Sequence, residues 1–350
     1  MKKMLAFLLF LCALSSCSEK KIQTKHDFVV AQGQMPNMVK DKDNNIHLVY
    51  GSGDSILYCY SSDNAASFSK PALVSVLPHV YTFATRGPQI AATEGGIVIT
   101  ACTSLGNIYS FYKENEGAWV QGKRVNDVDT IAKEGLMALS ADGNNAFAVW
   151  LDVRGNKRNK IYGAKSSDGG KIWSKNVMVY TSPDTTVCEC CKPSVAVKGS
   201  NVYVMFRNWL QGSRDLYLAQ SSDGNHFDVA KKLGIGTWKL NGCPMDGGGL
   251  AVDEKGMVQT VWRRESKVYA AMPNSVEKEI GQGRGCTLET VDGKNVYAWT
   301  DNGDIVIMKP GGQSEVLGKG SLPVLKALDN QHIACVWENE KQIHAAIVQL

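Results

Sequence analysis

Gly135–Asp152 reads GLMALSADGNNAFAVWLD. Two short, largely apolar runs flank Asp142-Gly143-Asn144-Asn145, residue types that tolerate the left-handed backbone of a tight turn. The runs are too short for helices and are bounded by turn residues, so the stretch is a hairpin of two strands. The same frame recurs at PNMVKDKDNNIHLVYG (36–51), GPQIAATEGGIVITACT (87–103), KPSVAVKGSNVYVMFRN (192–208), DGGGLAVDEKGMVQTVWRR (246–264), CTLETVDGKNVYAWTD (286–301) and LPVLKALDNQHIACVWEN (322–339). A third strand follows most copies, as in SILYCYSSD (55–63), KIYGAKSSD (160–168), DLYLAQSSD (215–223) and QIHAAIVQ (342–349).

A hairpin plus a third strand, repeated along a chain almost devoid of helical periodicity, is the pattern of propeller blades stacked round an axis. The expected fold is therefore an all-β, seven-bladed β-propeller occupying residues 26–350 as one domain. Six blades are the alternative if the sixth or seventh copy is decoration. A two-sheet sandwich leaves the repeat unexplained. The last copy reaches Leu350 after three strands, while His26–Ala31 (HDFVVA) precedes the first copy as an unassigned strand. Pairing the two completes the last blade and removes an exposed sheet edge.

Residues 1–16, MKKMLAFLLFLCALSS, carry two lysines, an apolar run too short to span a bilayer as a mature helix, and then small residues, which is a secretory signal. Its end, Leu14-Ser15-Ser16-Cys17, resembles the lipobox of bacterial lipoproteins, which implies acylation of Cys17 and a polar tether over 17–25. The implied location is extracytoplasmic and lipid-anchored, at the outer membrane because Ser18 rather than aspartate follows Cys17. Of the ten cysteines, Cys12 leaves with the signal and Cys17 carries lipid, so Cys59, Cys102, Cys188, Cys190, Cys191, Cys243, Cys286 and Cys335 remain. An even number in an oxidising compartment makes disulfides the default. A formal charge of +4, with no basic run interleaved with aromatics, argues against a nucleic-acid partner.

Ser166-Ser167-Asp168-Gly169-Gly170-Lys171-Ile172-Trp173 resembles the Asp-box of the sialidase or neuraminidase-like (BNR repeat) propellers, with degenerate copies at Ser61–Phe68 and Ser221–Phe227. The aspartate bonds turn amides, a glycine takes the positive-φ position and the aromatic packs between sheets, so Ser166, Asp168, Gly170 and Trp173 are structural. The resemblance implies a functional face opposite the Asp-boxes, while the fold alone specifies no activity. True sialidases begin with an Arg-Ile-Pro motif, and this chain has Gln34-Met35-Pro36-Asn37 there. Segments Trp238–Gly247 and Ser213–Tyr217, together with C-x-C-C, are similar to a subgroup of bacterial sialidase-like proteins.

In a propeller the start of each first strand and the loop after each second strand share one face. That face collects Arg86, Asp152, Arg154, Arg207, Asp246 and Arg263. Arg86, Arg154, Arg207 and Arg263 are the candidate ligand-binding residues, for an anionic or polyhydroxyl ligand of which a glycan is the best fit. If the protein is an enzyme, fold analogy makes it a glycoside hydrolase with Asp152 or Asp246 as acid/base. The segment Val187–Ser194, VCECCKPS, brings Cys188, Cys190 and Cys191 to the same face, where Cys243 and Cys286 lead into the next two blades. Three uses are open: disulfides from this segment to Cys243 and to Cys286 or Cys102, a copper or zinc site, or a redox pair, for which the usual C-x-x-C spacing is absent. Cys59 and Cys335 fall in blades that become neighbours on closure, as buried thiols or a closing bridge.

Overall fold

The computed structural model describes residues 22–114 and 117–350; the expected signal sequence and Cys17 lie outside these residues. Among the described residues there are strands and turns only, and no helix is long and apolar enough to cross a membrane. Seven four-stranded antiparallel sheets form the ring of a seven-bladed propeller, so the six-bladed alternative is excluded. Strand β1 (Lys25–Gln32) stands apart in the chain. Blade one is β2 (Gln34–Lys40), β3 (Ile46–Ser52), β4 (Ser55–Ser61) and β5 (Ala72–Val76), and blade two β6 (Gln89–Thr93), β7 (Gly96–Cys102), β8 (Ile108–Glu114) and β9 (Val120–Gln121). Blade three is β10 (Met137–Asp142), β11 (Asn145–Asp152), β12 (Lys160–Ser166) and β13 (Val177–Tyr180), and blade four β14 (Ser194–Lys198), β15 (Asn201–Arg207), β16 (Leu216–Ser221) and β17 (Lys231–Lys232). Blade five is β18 (Gly248–Val252), β19 (Val258–Arg264), β20 (Lys267–Ala271) and β21 (Lys278–Gln282), and blade six β22 (Arg284–Val291), β23 (Lys294–Asp301), β24 (Asp304–Met308) and β25 (Ser314–Lys319). Blade seven joins β26 (Ser321–Ala327), β27 (His332–Asn339) and β28 (Gln342–Gln349) to β1, which pairs antiparallel with β28 from Lys25 opposite Ile347 to Gln32 opposite Gln342.

The hydrophobic core is divided among the seven junctions between blades. One buried cluster joins Ala91 and Val98 of blade two to Leu139 and Trp150 of blade three. Another joins Leu48 and Tyr50 of blade one to Val336 and Ile343 of blade seven. Strands buried on both faces read as nearly continuous apolar runs, which is why the second strand of each blade is the most hydrophobic. Trp150, Trp262, Trp299 and Trp337 each end such a strand and face the preceding blade, at 0, 3, 3 and 0% exposure. Their role is packing.

The Asp-box has the expected local chemistry. Asp168 accepts the backbone N–H groups of Lys171 and Ile172, and Ser166 Oγ donates to Asp168 Oδ1 at 2.7 Å. Gly170 lies at φ 88°, and a Cβ there would come within 2.2 Å of Val98 Cγ2, so both the backbone and the space require glycine. Trp173 closes the cluster between blades two and three. Asp168 and Gly169 line a small cavity with Gly95, Gly96 and Asn144, which sit at the hairpin turns of blades two and three, so the Asp-box is on the face away from the lead-in loops.

Replacing a fully enclosed tryptophan removes a large apolar area and leaves a cavity. Trp337→Ala should cost about 3–5 kcal/mol of stability in chemical denaturation, whereas Ile172→Ala, at a position 55% exposed, should change it by less than about 0.5 kcal/mol.

Candidate functional site

All seven first strands, or the residues leading into them, line a central cavity of about 240 Å³: Asn37, Gln89, Ala138, Ser194, Gly248, Thr287 and Val324 are its staves. The residue just before the channel takes a left-handed backbone in five blades, at Met35 (φ 55°), Gly135 (64°), Met245 (50°), Gly285 (63°) and Leu322 (57°). That conformation is costly for methionine and leucine. It coincides with latches between neighbouring blades. Met35 N–H donates to Glu338 of blade seven at 2.9 Å, Leu322 N–H to Thr300 of blade six at 3.2 Å, and Gly285 N–H to Asp246, at the start of blade five, at 3.2 Å. Gly247 is a close-approach position, since a Cβ there would stand 2.3 Å from the Lys192 carbonyl oxygen.

The nominated arginines are mostly engaged. Arg207 is 1% exposed and spends its guanidinium on three backbone carbonyls, of Asp246 (3.1 Å), Arg214 (2.7 Å) and Arg263 (2.9 Å), tying blade four to blade five. Arg154 forks onto Asp152 and reaches Asp127 and Asn176. Arg86 donates to the carbonyls of Ala84 and Glu134 and pairs with the Glu134 carboxylate. Arg207 as a free ligand fork is thus corrected by burial to an interblade clamp. Asp152, expected as one of two acid/base candidates, is 0% exposed, with its oxygens taken by Trp150 Nε1 and Arg154. Its carboxylate is enclosed and already paired, so it does not face a ligand. Asp246 differs. It lines the central cavity, its carboxyl is pushed up by burial against the opposing pull of Arg207 and Arg263, and Arg263 Nη1 stands 3.6 Å away.

Above the cavity lies a polar cleft of about 760 Å³ across blades five to seven, lined by Arg263, Arg284, Asp301, Asn302, Glu338 and Asn339 among others. The same strand reaches both spaces, Arg284 lining the cleft and Cys286 the cavity, so the two are neighbours. Two cations here went unnominated. Arg284 is exposed and, among the described residues, has no side-chain hydrogen-bond partner. Lys192 lines the central cavity and burial holds its ammonium down at about 8. Both were discoverable, because each sits where its chain leads into a first strand, beside Pro193 and before Cys286.

The cysteines do converge, with one bridge rather than several. Cys190 is joined to Cys243. Cys286 and Cys102 are free and buried, which corrects the expectation that one of them bonds the C-x-C-C segment. Cys59 and Cys335 are likewise buried free thiols, not a closing bridge. The sulfur of Cys188 stands 3.2 Å from that of Cys191 and 3.8 Å from that of Cys190, and Arg214 Nη1 donates to it at 3.0 Å. The hydrogen bond shared with Cys191, aided by Arg214 and Arg207, lowers the Cys188 thiol, while burial raises that of Cys191. Cys188 and Cys191 are themselves three apart, so the C-x-x-C spacing thought missing is present and was hidden by the cysteine between them.

No protein-family model matches the chain, and no curated protein does. Solved structures do. The α-L-arabinofuranosidase of family GH93 from Fusarium graminearum, in complex with arabinobiose, is 13% identical, with a TM-score of 0.55 over 93% of this chain and 98% of that one. A lectin from Burkholderia pseudomallei is 7% identical, with a TM-score of 0.65 over 92% and 97%. Virginiamycin B lyase from Staphylococcus aureus is 10% identical, with a TM-score of 0.54 over 94% and 100%. At these identities the likeness shows a shared fold.

The loop that carries Trp238, whose ring lies 5.3 Å from the Arg207 guanidinium and 5.4 Å from that of Arg263, depends on Glu277. Burial raises the Glu277 carboxyl, but Arg264 and the N–H groups of Ile235 and Gly236 outweigh it and hold it at about 2. A depressed carboxylate contributes stability that is present above its unfolded value and lost as pH falls toward the folded one. Stability should therefore decline between pH about 4.5 and about 2, and Glu277→Gln should flatten that part of a pH-dependent denaturation profile.

Proposed function

We propose that the lead-in face binds a polyhydroxyl or anionic ligand, with a glycan as the ligand class, in the cleft over blades five to seven. The observation that carries this is the polar cleft of about 760 Å³, next to the channel lined by Lys192. Hydrogen-bonding side chains line it without an aromatic platform, so recognition would run through hydroxyl and carboxylate groups rather than ring stacking. The named neighbours support the class, an arabinofuranosidase holding arabinobiose and a lectin. Binding fits better than sialidase-type hydrolysis: the first sialidase arginine is replaced by Gln34-Met35-Pro36-Asn37 and Asp152 is enclosed. If hydrolysis occurs, Asp246 is the acid in position for it.

A second role belongs to the cysteines, as a redox centre, or as a copper or zinc site if the Cys190–Cys243 bridge is reduced, because the sulfurs of Cys188, Cys190 and Cys191 lie within 4.8 Å of one another. The proposal places the protein outside the cytoplasm, anchored by lipid on Cys17 at the outer membrane.

Arg284→Ala should weaken binding of the best glycan on an array by about tenfold or more, the magnitude of a lost charged hydrogen bond, while leaving the melting temperature unchanged. No glycan or uronic acid bound by the unmodified protein would overturn the ligand class. For an anionic ligand, affinity measured by calorimetry should fall as pH rises through about 8, where Lys192 loses its charge. Cys17→Ala should move the protein from the membrane to the soluble fraction on cell fractionation.

A further inference from the structure

The four sulfurs of Cys188, Cys190, Cys191 and Cys243 are arranged by depth. Cys243 is exposed, Cys190 is half-buried, and Cys188 and Cys191 are 1% and 2% exposed. The outer two share a disulfide, and the inner two are thiols 3.2 Å apart. Cys188 and Cys191 stand 3.8 and 3.9 Å from Cys190; Cys191 adjoins Cys190 in the chain, where a bond would close a strained vicinal ring, so Cys188, which Arg214 faces at 3.0 Å, is the one placed to attack it. A staple needs the outer pair alone. It gives no reason to place a buried C-x-x-C dithiol against the bridge with an arginine on one of its sulfurs. A metal site would need Cys190, whose sulfur is already committed to Cys243.

We propose that these cysteines form a thiol–disulfide relay that passes two electrons between the buried Cys188–Cys191 dithiol and the exposed end at Cys243. Exchange requires a thiolate able to reach a disulfide sulfur. The Cys188 thiolate attacks Cys190; the Cys188–Cys190 bond forms, the Cys190–Cys243 bond breaks, and Cys243 leaves as a thiolate that is protonated by solvent. The Cys191 thiolate then attacks Cys188; the Cys188–Cys191 bond forms and Cys190 leaves as a thiolate that is protonated in turn. The inner pair is oxidised, the outer pair is reduced, the two protons lost equal the two gained, and no outside oxidant enters. The reduced outer pair then presents Cys243 to a disulfide of a second molecule, and the reverse sequence accepts electrons from a dithiol. The relay rests on the cysteine role proposed above and is independent of the ligand cleft.

Native alkylation tests it. The full chain, exported to an oxidising compartment and purified without reductant, is held with iodoacetamide, and its disulfides are then mapped by mass spectrometry. The relay requires time-dependent alkylation of Cys243 with no added thiol, matched by loss of the Cys190–Cys243 peptide and gain of a Cys188–Cys191 peptide. Cys188→Ser should reduce Cys243 alkylation at least tenfold, whereas Cys191→Ser should retain it and accumulate a Cys188–Cys190 bridge. Because iodoacetamide modifies free thiols and not the bridge itself, Cys243 alkylation in Cys188→Ser as fast as in the unmodified protein would show the bridge opening without Cys188 and would overturn the relay. A Cys190–Cys243 bridge that never exchanges in the unmodified protein would leave a staple and end the cysteine role altogether. Four free thiols with one equivalent of zinc or copper would overturn the relay but keep the metal form of that role.

Discussion

Ring closure is the constraint on which the rest of this molecule depends. No blade has a core of its own; each buries its apolar faces only against its neighbours, and the clusters at the junctions form a ring. A ring with one open junction would expose two sheet faces and the edge of β28. The pairing of β1 with β28 prevents that, joining residues more than three hundred positions apart in sequence. The Glu338 carboxylate adds a second tie at the same seam, accepting from Gln34 and from the backbone of Met35.

Closure also decides what the upper face can do with its charges. Seven lead-in segments converge on a narrow channel and bury polar backbone there, so buried side chains are drafted to satisfy it. Arg207 is the clearest case, with three carbonyls on one guanidinium. Charged residues near the axis therefore become interblade clamps, while charges set a little outward, such as Arg284, stay available. The same geometry encloses Asp152 and Arg207 in blades three and four, while the cleft lies over blades five to seven.

The cysteine segment shows a related economy of position. The segment pairs with its neighbours only at its start, where Val187 bridges Asn208 and the Cys188 N–H donates to the Arg207 carbonyl, so beyond that point covalent and charge contacts hold it. Here one disulfide reaches across to blade five, and Arg214 of blade four closes over the sulfur behind it. The depth ordering of the sulfurs follows from the loop turning inward between Cys188 and Cys191 while Cys190 points out toward Cys243.

Much of the architecture was legible in the residues. Seven hairpin frames, their turn chemistry, the recurring tryptophan and the Asp-box signature are local, and local steric and hydrogen-bonding rules read them with strand boundaries within about two residues. The sequence also indicated that the cysteines and a set of charges would share one face, because strand order alone assigns loops to faces. It did not indicate which charges would be free. That depends on the few ångströms separating Arg207 from three carbonyls and Asp152 from Arg154, and on the left-handed residues at Met35, Met245 and Leu322, whose N–H directions are set only when neighbouring blades meet. Partner choice among the cysteines was undetermined for the same reason. Spacing states which thiols are near one another along the chain, whereas packing around the channel decides that Cys190 meets Cys243, that Cys286 meets no sulfur, and that Cys188 lies between a thiol and a disulfide.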